Sequence, residues 1–79
     1  MKKNEISEKL IVIFSENGLF VDDVTSPIIN YIPDSLTFVQ LIICIEESFD
    51  IELPDEYMLI ENLGTLETLA ERLYGLFHT

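Results

Sequence analysis

Apolar residues recur along this chain at helical spacing, and strand-like alternation is nearly absent. Ile6, Leu10, Ile13 and Phe14 fall on one face, which predicts a first helix with Asn4 as N-cap and Gly18 just past its end. A second helix is expected from about Ser35 to Phe49, with Asp34 as its cap. A step of about 100° per residue gathers Phe38, Leu41, Ile42, Ile45 and Phe49 on its core side. The stretch Asp50-Ile51-Glu52-Leu53-Pro54-Asp55 breaks that helix, and a short helical turn around Glu56–Ile60 follows. Gly64 and Thr65 then punctuate the chain before a last helix, where Leu66, Leu69, Ala70, Leu73 and Phe77 share a face.

Residues 19–34 carry Pro27 and Pro33 together with the apolar anchors Leu19, Phe20, Val24, Ile28 and Ile32. A connection of this length is seldom structureless in a compact domain, so a long first loop pinned to the core is expected. No repeat, linker or low-complexity stretch interrupts the chain. The pattern is that of an all-α bundle of three main helices and one short helix, in a single domain spanning residues 1–79. That length is near the lower limit for folding without staples, but 48% apolar residues suffice for a compact core.

The outer side of the second helix changes the picture. Leu36, Val39 and Ile43 lie roughly opposite its core face, with Gln40, Glu46, Glu47 and Asp50 around them. A surface helix ordinarily keeps that side polar. Leu36, Val39, Gln40, Ile43, Glu46 and Glu47 therefore form a candidate docking surface, in which apolar contacts supply affinity and carboxylates steer a basic partner. The plainer alternative is that the long loop or the last helix covers the strip.

Fifteen acids against four bases give a formal charge of −11. Such a surface repels nucleic-acid phosphates and anionic lipid, and favours partners with Lys/Arg patches. Acidity alone also suits a merely soluble protein, so the placement of the charges has to decide. The single cysteine, Cys44, excludes an internal disulfide and has no second thiol at metal-ligand spacing. Met1-Lys2-Lys3-Asn4-Glu5 is followed by no small-residue cleavage site, and the longest apolar run, Leu41 to Ile45, is too short to span a bilayer. A cytoplasmic protein without membrane insertion is expected.

Reactive chemistry is scarce. The sole histidine, His78, is next to the C-terminus, which leaves no positioned Ser–His or Cys–His pair. Asp22-Asp23, Glu46-Glu47 and Asp55-Glu56 lack the spacing of a calcium loop, so they are expected to be solvated, with no metal site. Three scattered glycines make no phosphate loop. The chain is therefore expected to be no enzyme, and Ser35 no activated nucleophile. A serine at a helix start is ordinarily a cap or first-turn residue. It can also carry a phosphate-linked group in the field of the helix N-terminus.

From Ile32 to about Leu73 the residues resemble an acyl carrier protein or related thiolation domain. The matching positions are Asp34-Ser35-Leu36, Val39 and Leu41. They continue in the block Ile45-Glu46-Glu47-Ser48-Phe49-Asp50-Ile51-Glu52-Leu53-Pro54-Asp55-Glu56 and in Asn62 to Leu69. The resemblance implies a small four-helix bundle of the acyl-carrier type. It also implies that Ser35 receives 4′-phosphopantetheine from coenzyme A through a separate transferase, and that a cargo rides as a thioester on the terminal thiol. Asp34 would serve as cap and in transferase recognition, helping to hold a metal ion beside coenzyme A. The partners implied are a phosphopantetheinyl transferase and cargo-loading or cargo-using synthases with basic docking patches. Under this reading the chain is a stand-alone, monomeric carrier in fatty acid or secondary metabolite biosynthesis.

Three departures from the family pattern stand out. Ile32 stands where the family usually has glycine three residues before the serine. Thr37 and Gln40 replace acids common in carriers of ordinary fatty acid synthesis, and Phe38 is bulkier than the usual residue. These departures lean slightly towards a dedicated pathway with an aminoacyl, peptidyl or short acyl cargo. The competing reading is an unmodified acidic module of the same fold that binds a basic partner through the second helix.

Overall fold

The computed structural model describes residues 2–77. Three α-helices dominate it: α1 (Lys3–Glu16), α2 (Ser35–Phe49) and α3 (Leu66–Phe77). Single 3-10 turns occupy Ile28–Asn30, Asp55–Met58 and Ile60–Asn62. Among the described residues there is no strand, only an isolated bridge between Pro27 and Thr65. The all-α expectation holds.

Each helix end has an identifiable cause. α1 begins at Lys3, so Asn4 lies within its first turn and Lys2 takes the N-cap position. The reason is Glu5, whose Oε1 accepts the Lys2 N–H at 3.3 Å and so satisfies that donor without Asn4. At the other end Gly18 adopts φ +80°. There the Leu19 N–H reaches Phe14 O at 2.9 Å and the Gly18 N–H reaches Ser15 O at 2.9 Å. This double closure satisfies two terminal carbonyls. α3 starts on a reciprocal box, in which the Thr68 N–H donates to Thr65 Oγ1 and the Thr65 N–H to Thr68 Oγ1. Gly64 precedes that box at φ +68°, and a Cβ there would lie 2.6 Å from Thr68 Oγ1. Only glycine fits both constraints.

The core contains the predicted faces: Ile6, Leu10, Ile13 and Phe14 from α1, and Phe38, Leu41, Ile42, Ile45 and Phe49 from α2. α3 contributes Leu66, Leu69, Ala70 and Leu73, and half-buried Phe77 sets its ring 5.7 Å from that of Phe49. Lys3 joins α1 to Glu71 of α3 through a 2.7 Å ion pair. Lys9 extends from α1 to the end of α2, donating to Ser48 O at 2.6 Å with Nζ 4.8 Å from the Phe49 ring.

Two further expectations change. The short helix around Glu56–Ile60 is instead a pair of 3-10 turns separated at Leu59, whose backbone is extended. Asn62 closes this segment on itself, its Nδ2 donating to Glu56 O and its N–H to Leu59 O. Phe20 does not anchor the loop: its neighbour Leu19 takes the inward position after the Gly18 turn, leaving Phe20 79% exposed. Ile28 is buried, and Val24 and Ile32 are half-buried. The first loop is fastened to the start of α3 by Ile28 N–H to Gly64 O (2.8 Å) and Glu67 N–H to Val24 O (3.1 Å). No helix is long and apolar enough to cross a membrane among the described residues.

Candidate functional site

The site begins with the approach to α2. Asp23 ties a tight turn, its Oδ1 accepting the Thr25 N–H (2.9 Å) and Thr25 Oγ1 (2.6 Å), its Oδ2 accepting Ser26 Oγ. These bonds hold the Asp23 carboxyl below the usual carboxylate range. Tyr31 donates its hydroxyl to Asp22 Oδ1 at 2.8 Å, and that bond raises the phenol's pKa. Asp22 and Asp23 are solvent-exposed, but they also organise the loop leading to Ser35, a role that spacing along the sequence did not disclose. Thr25 two residues beyond Asp23 was the available signal, since an Asx turn uses that step.

Pro33 and Asp34 then set the helix start. Asp34 is extended (φ −156°, ψ 169°), and its Oδ1 accepts the Thr37 N–H at 2.7 Å. This is the expected N-cap. The Thr37 amide holds the Asp34 carboxyl below the ordinary value. Ser35 is the first residue of α2 and is exposed; its hydroxyl makes no hydrogen bond among the described residues. Asp34 thus takes up the capping role and leaves the serine oxygen to solvent. Three of the four basic side chains are engaged elsewhere, Lys3 on Glu71, Lys9 on Ser48 and Arg72 on Asn62. An anion on Ser35 would therefore be met by the first-turn amides and the helix dipole, at roughly 0.3–1 kcal/mol for an exposed site.

The expected docking residues separate into two groups. Leu36, Val39 and Ile43 are 66%, 51% and 47% exposed, with Gln40 and Glu47 exposed beside them. Neither the first loop nor α3 covers the strip. Glu46 behaves differently: it is half-buried, and its Oε2 accepts the Leu53 N–H at 2.8 Å. It braces the chain that leaves α2. Periodicity placed Glu46 at the rim but could not show that its side chain folds back onto Leu53.

Arg72 is a structural contact that the sequence did not reveal. Its guanidinium donates to Asn62 O and stands 5.7 Å from the Tyr57 ring, while burial pushes the Tyr57 phenol up. It fastens the 3-10 turns to α3. Cys44 is half-buried and free, and His78 lies outside the described residues.

A family model described as the phosphopantetheine attachment site matches residues 8–73, a span that contains Asp34, Ser35 and the whole of α2. Proteins of that kind bear 4′-phosphopantetheine covalently on a serine. No solved structure matches the chain.

Proposed function

The chain belongs to the phosphopantetheine-attachment family, and on that premise we propose that Ser35 is the attachment point and that the protein presents thioester cargo to partner enzymes. The observation that carries this reading is the exposed, unbonded Ser35 hydroxyl on the first residue of a helix capped by Asp34. When bound, the arm supplies a flexible tether ending in a thiol that holds an acyl, aminoacyl or peptidyl group as a thioester.

The residues around Ser35 have distinct tasks. Asp34 fixes the first turn and so the direction in which the serine oxygen projects; a transferase that modifies Ser35 meets this carboxylate first. The amides of the first turn offer an anion their dipole, while Lys3, Lys9 and Arg72 are engaged elsewhere. Such a link to Ser35 remains free to swing. Leu36, Val39 and Ile43, with Gln40 and Glu47 alongside, present partners with an apolar strip and a negative edge. Glu46 supports this edge from within through Leu53. The chain itself acts as a substrate and a docking platform, not as a catalyst, and its partners are a phosphopantetheinyl transferase and synthases with basic patches in the cytoplasm.

The deciding experiment is incubation with coenzyme A, Mg²⁺ and a broad-specificity phosphopantetheinyl transferase, followed by intact-mass measurement and peptide mapping. One arm is expected, on Ser35, and Ser35→Ala should remove it while leaving the fold unchanged. No mass gain on a folded protein would instead support an unmodified module that binds a basic partner through α2.

A further inference from the structure

An apolar opening lies away from Ser35, between α1 and the start of the first loop. It is lined by Ile11, Ser15, Leu19, Phe20, Val21 and Asp22 and has a volume of about 180 Å³. Drug-sized ligands ordinarily fill about 300–1,000 Å³, so this opening suits one or two side chains rather than a small molecule. Its edge carries an aromatic ring that the fold does not use: Phe20 is 79% exposed although the adjacent Leu19 is buried. Ile11, on the α1 wall, is 38% exposed. Isolated exposed apolar residues are common; these two border one groove.

The charges around the groove have one sign. Glu8, exposed, precedes Ile11 by three residues and Ser15 by seven, which places it on the same stripe of α1. Asp22 belongs to the opposite edge, held there by the Tyr31 hydroxyl. The nearest base in sequence, Lys9, is directed to Ser48 O and the Phe49 ring on another side of α1. A second copy of this chain would bring another −11 to an acidic rim, which disfavours self-association. An anionic membrane is disfavoured in the same way. We propose that this groove is a second docking face, separate from α2, that takes one apolar side chain flanked by Lys or Arg on a partner protein. The proposal does not depend on modification of Ser35, because none of the lining residues belongs to α2.

The test uses the full chain, ¹⁵N-labelled, and a synthetic helical peptide with a single Leu anchor flanked by lysines. Amide shifts should centre on Ile11, Ser15, Phe20 and Val21, saturate, and weaken as salt rises. Phe20→Ala should weaken this binding roughly tenfold, as loss of an anchor contact does. The exposed position of Phe20 keeps the variant folded, and an unchanged melting temperature checks this. Glu8→Lys should slow association and flatten its salt dependence, and replacing the peptide's Leu by Ser should abolish the groove shifts. The proposal is overturned by shifts confined to Leu36, Val39 and Ile43, by shifts spread over the whole acidic surface, or by binding indifferent to Phe20→Ala. It is equally overturned if the Ser peptide binds as well as the Leu peptide, or if the exposed ring instead drives partition onto phosphatidylcholine vesicles or dimer formation.

Discussion

The two ends of α2 follow opposite rules. At its start the local chemistry is consistent: Asp34 is extended, accepts the Thr37 N–H, and places a negative charge by the positive end of the helix dipole. At its finish Glu46 and Glu47 occupy the last turn and Asp50 follows, where the dipole disfavours anions, and no basic residue of the turn answers them. Asp50 also adopts φ 53°, ψ 50°, a left-handed conformation that glycine takes more easily. Two contacts from other parts of the chain offset this. Lys9 brings an ammonium from α1 to Ser48 O, and Leu53 gives its N–H to Glu46. The start of the helix satisfies local preference. The finish retains charge against local preference, and such conflicts concentrate where binding is required.

The middle of α2 is held by its core face, whatever happens at the ends. Ile45 is fully buried, so Ile45→Ala should cost roughly 2–5 kcal/mol. Ile43, 47% exposed, should cost under about 1 kcal/mol when changed to Ala. Urea unfolding of both variants measures the difference. The reverse order would mean that the helical phase is wrong, and the exposed strip would be lost with it.

The contribution borrowed by the acidic end can be removed separately. Lys9→Met keeps most of the aliphatic stem but deletes the charge on Ser48 O and the Phe49 ring. A loss of about 1–2 kcal/mol is expected from the helix-terminus and cation–π interactions together. The loss should shrink in high salt. An unchanged unfolding midpoint at low salt would show that the finish of α2 needs no external cation, and the contrast between the ends would weaken.

Glu47→Lys should separate stability from binding. Reversing the charge in the last turn should stabilise the fold by roughly 0.3–1 kcal/mol at low ionic strength. The same change should slow association with a modifying transferase and reduce its salt dependence, because rim charges act mainly on encounter. Stopped-flow binding and thermal melts on one preparation provide both readings. A variant that is less stable and docks as fast as the parent would contradict the view that the acidic end is kept for partners.

The same contrast explains what could be read from the sequence. The core face of α2, its Asp34 cap and the Gly18 stop were legible because each depends on residues within about one turn of one another. The exposed strip was legible because Leu36, Val39 and Ile43 violate the polar pattern of an outer face. Long side chains were harder. Glu46 reaches seven residues onward to Leu53, and Arg72 ten residues back to Asn62, contacts that no local spacing specifies. Asn4 lost the cap position because Glu5 could satisfy the Lys2 amide, a competition decided by geometry over one turn. Phe20 was indistinguishable from Leu19 as a loop anchor until the Gly18 turn decided which side chain points inward. The 3-10 turns after Pro54 depend on the Asn62 side chain bonding Glu56 O, again a contact and not a pattern.

The smallest expected effect concerns the charge of the cap itself. The Asp34 carboxyl is held below its usual range, chiefly by the Thr37 N–H. Folding therefore favours the ionised form. Its contribution is fully present above the unfolded value of about 3.9 and is lost as pH falls through the lower folded value. Asparagine caps a helix about as well but does not titrate, so Asp34→Asn isolates the charge from the hydrogen bond. The parent should be slightly more stable than the variant at neutral pH, and the two should converge in acid. Asp23, whose carboxyl is also held low, contributes in the same direction. The difference between the two melting curves is therefore the quantity to follow, since Asp23 contributes equally to both. The exposure of Asp34 keeps the difference small, and added salt should reduce it further. Parallel curves from pH about 2 to 7 would mean that the start of α2 draws nothing from its negative charge. In that case the helix dipole would no longer distinguish its two ends, and the excess of acid at the far end would lose its meaning as a conflict.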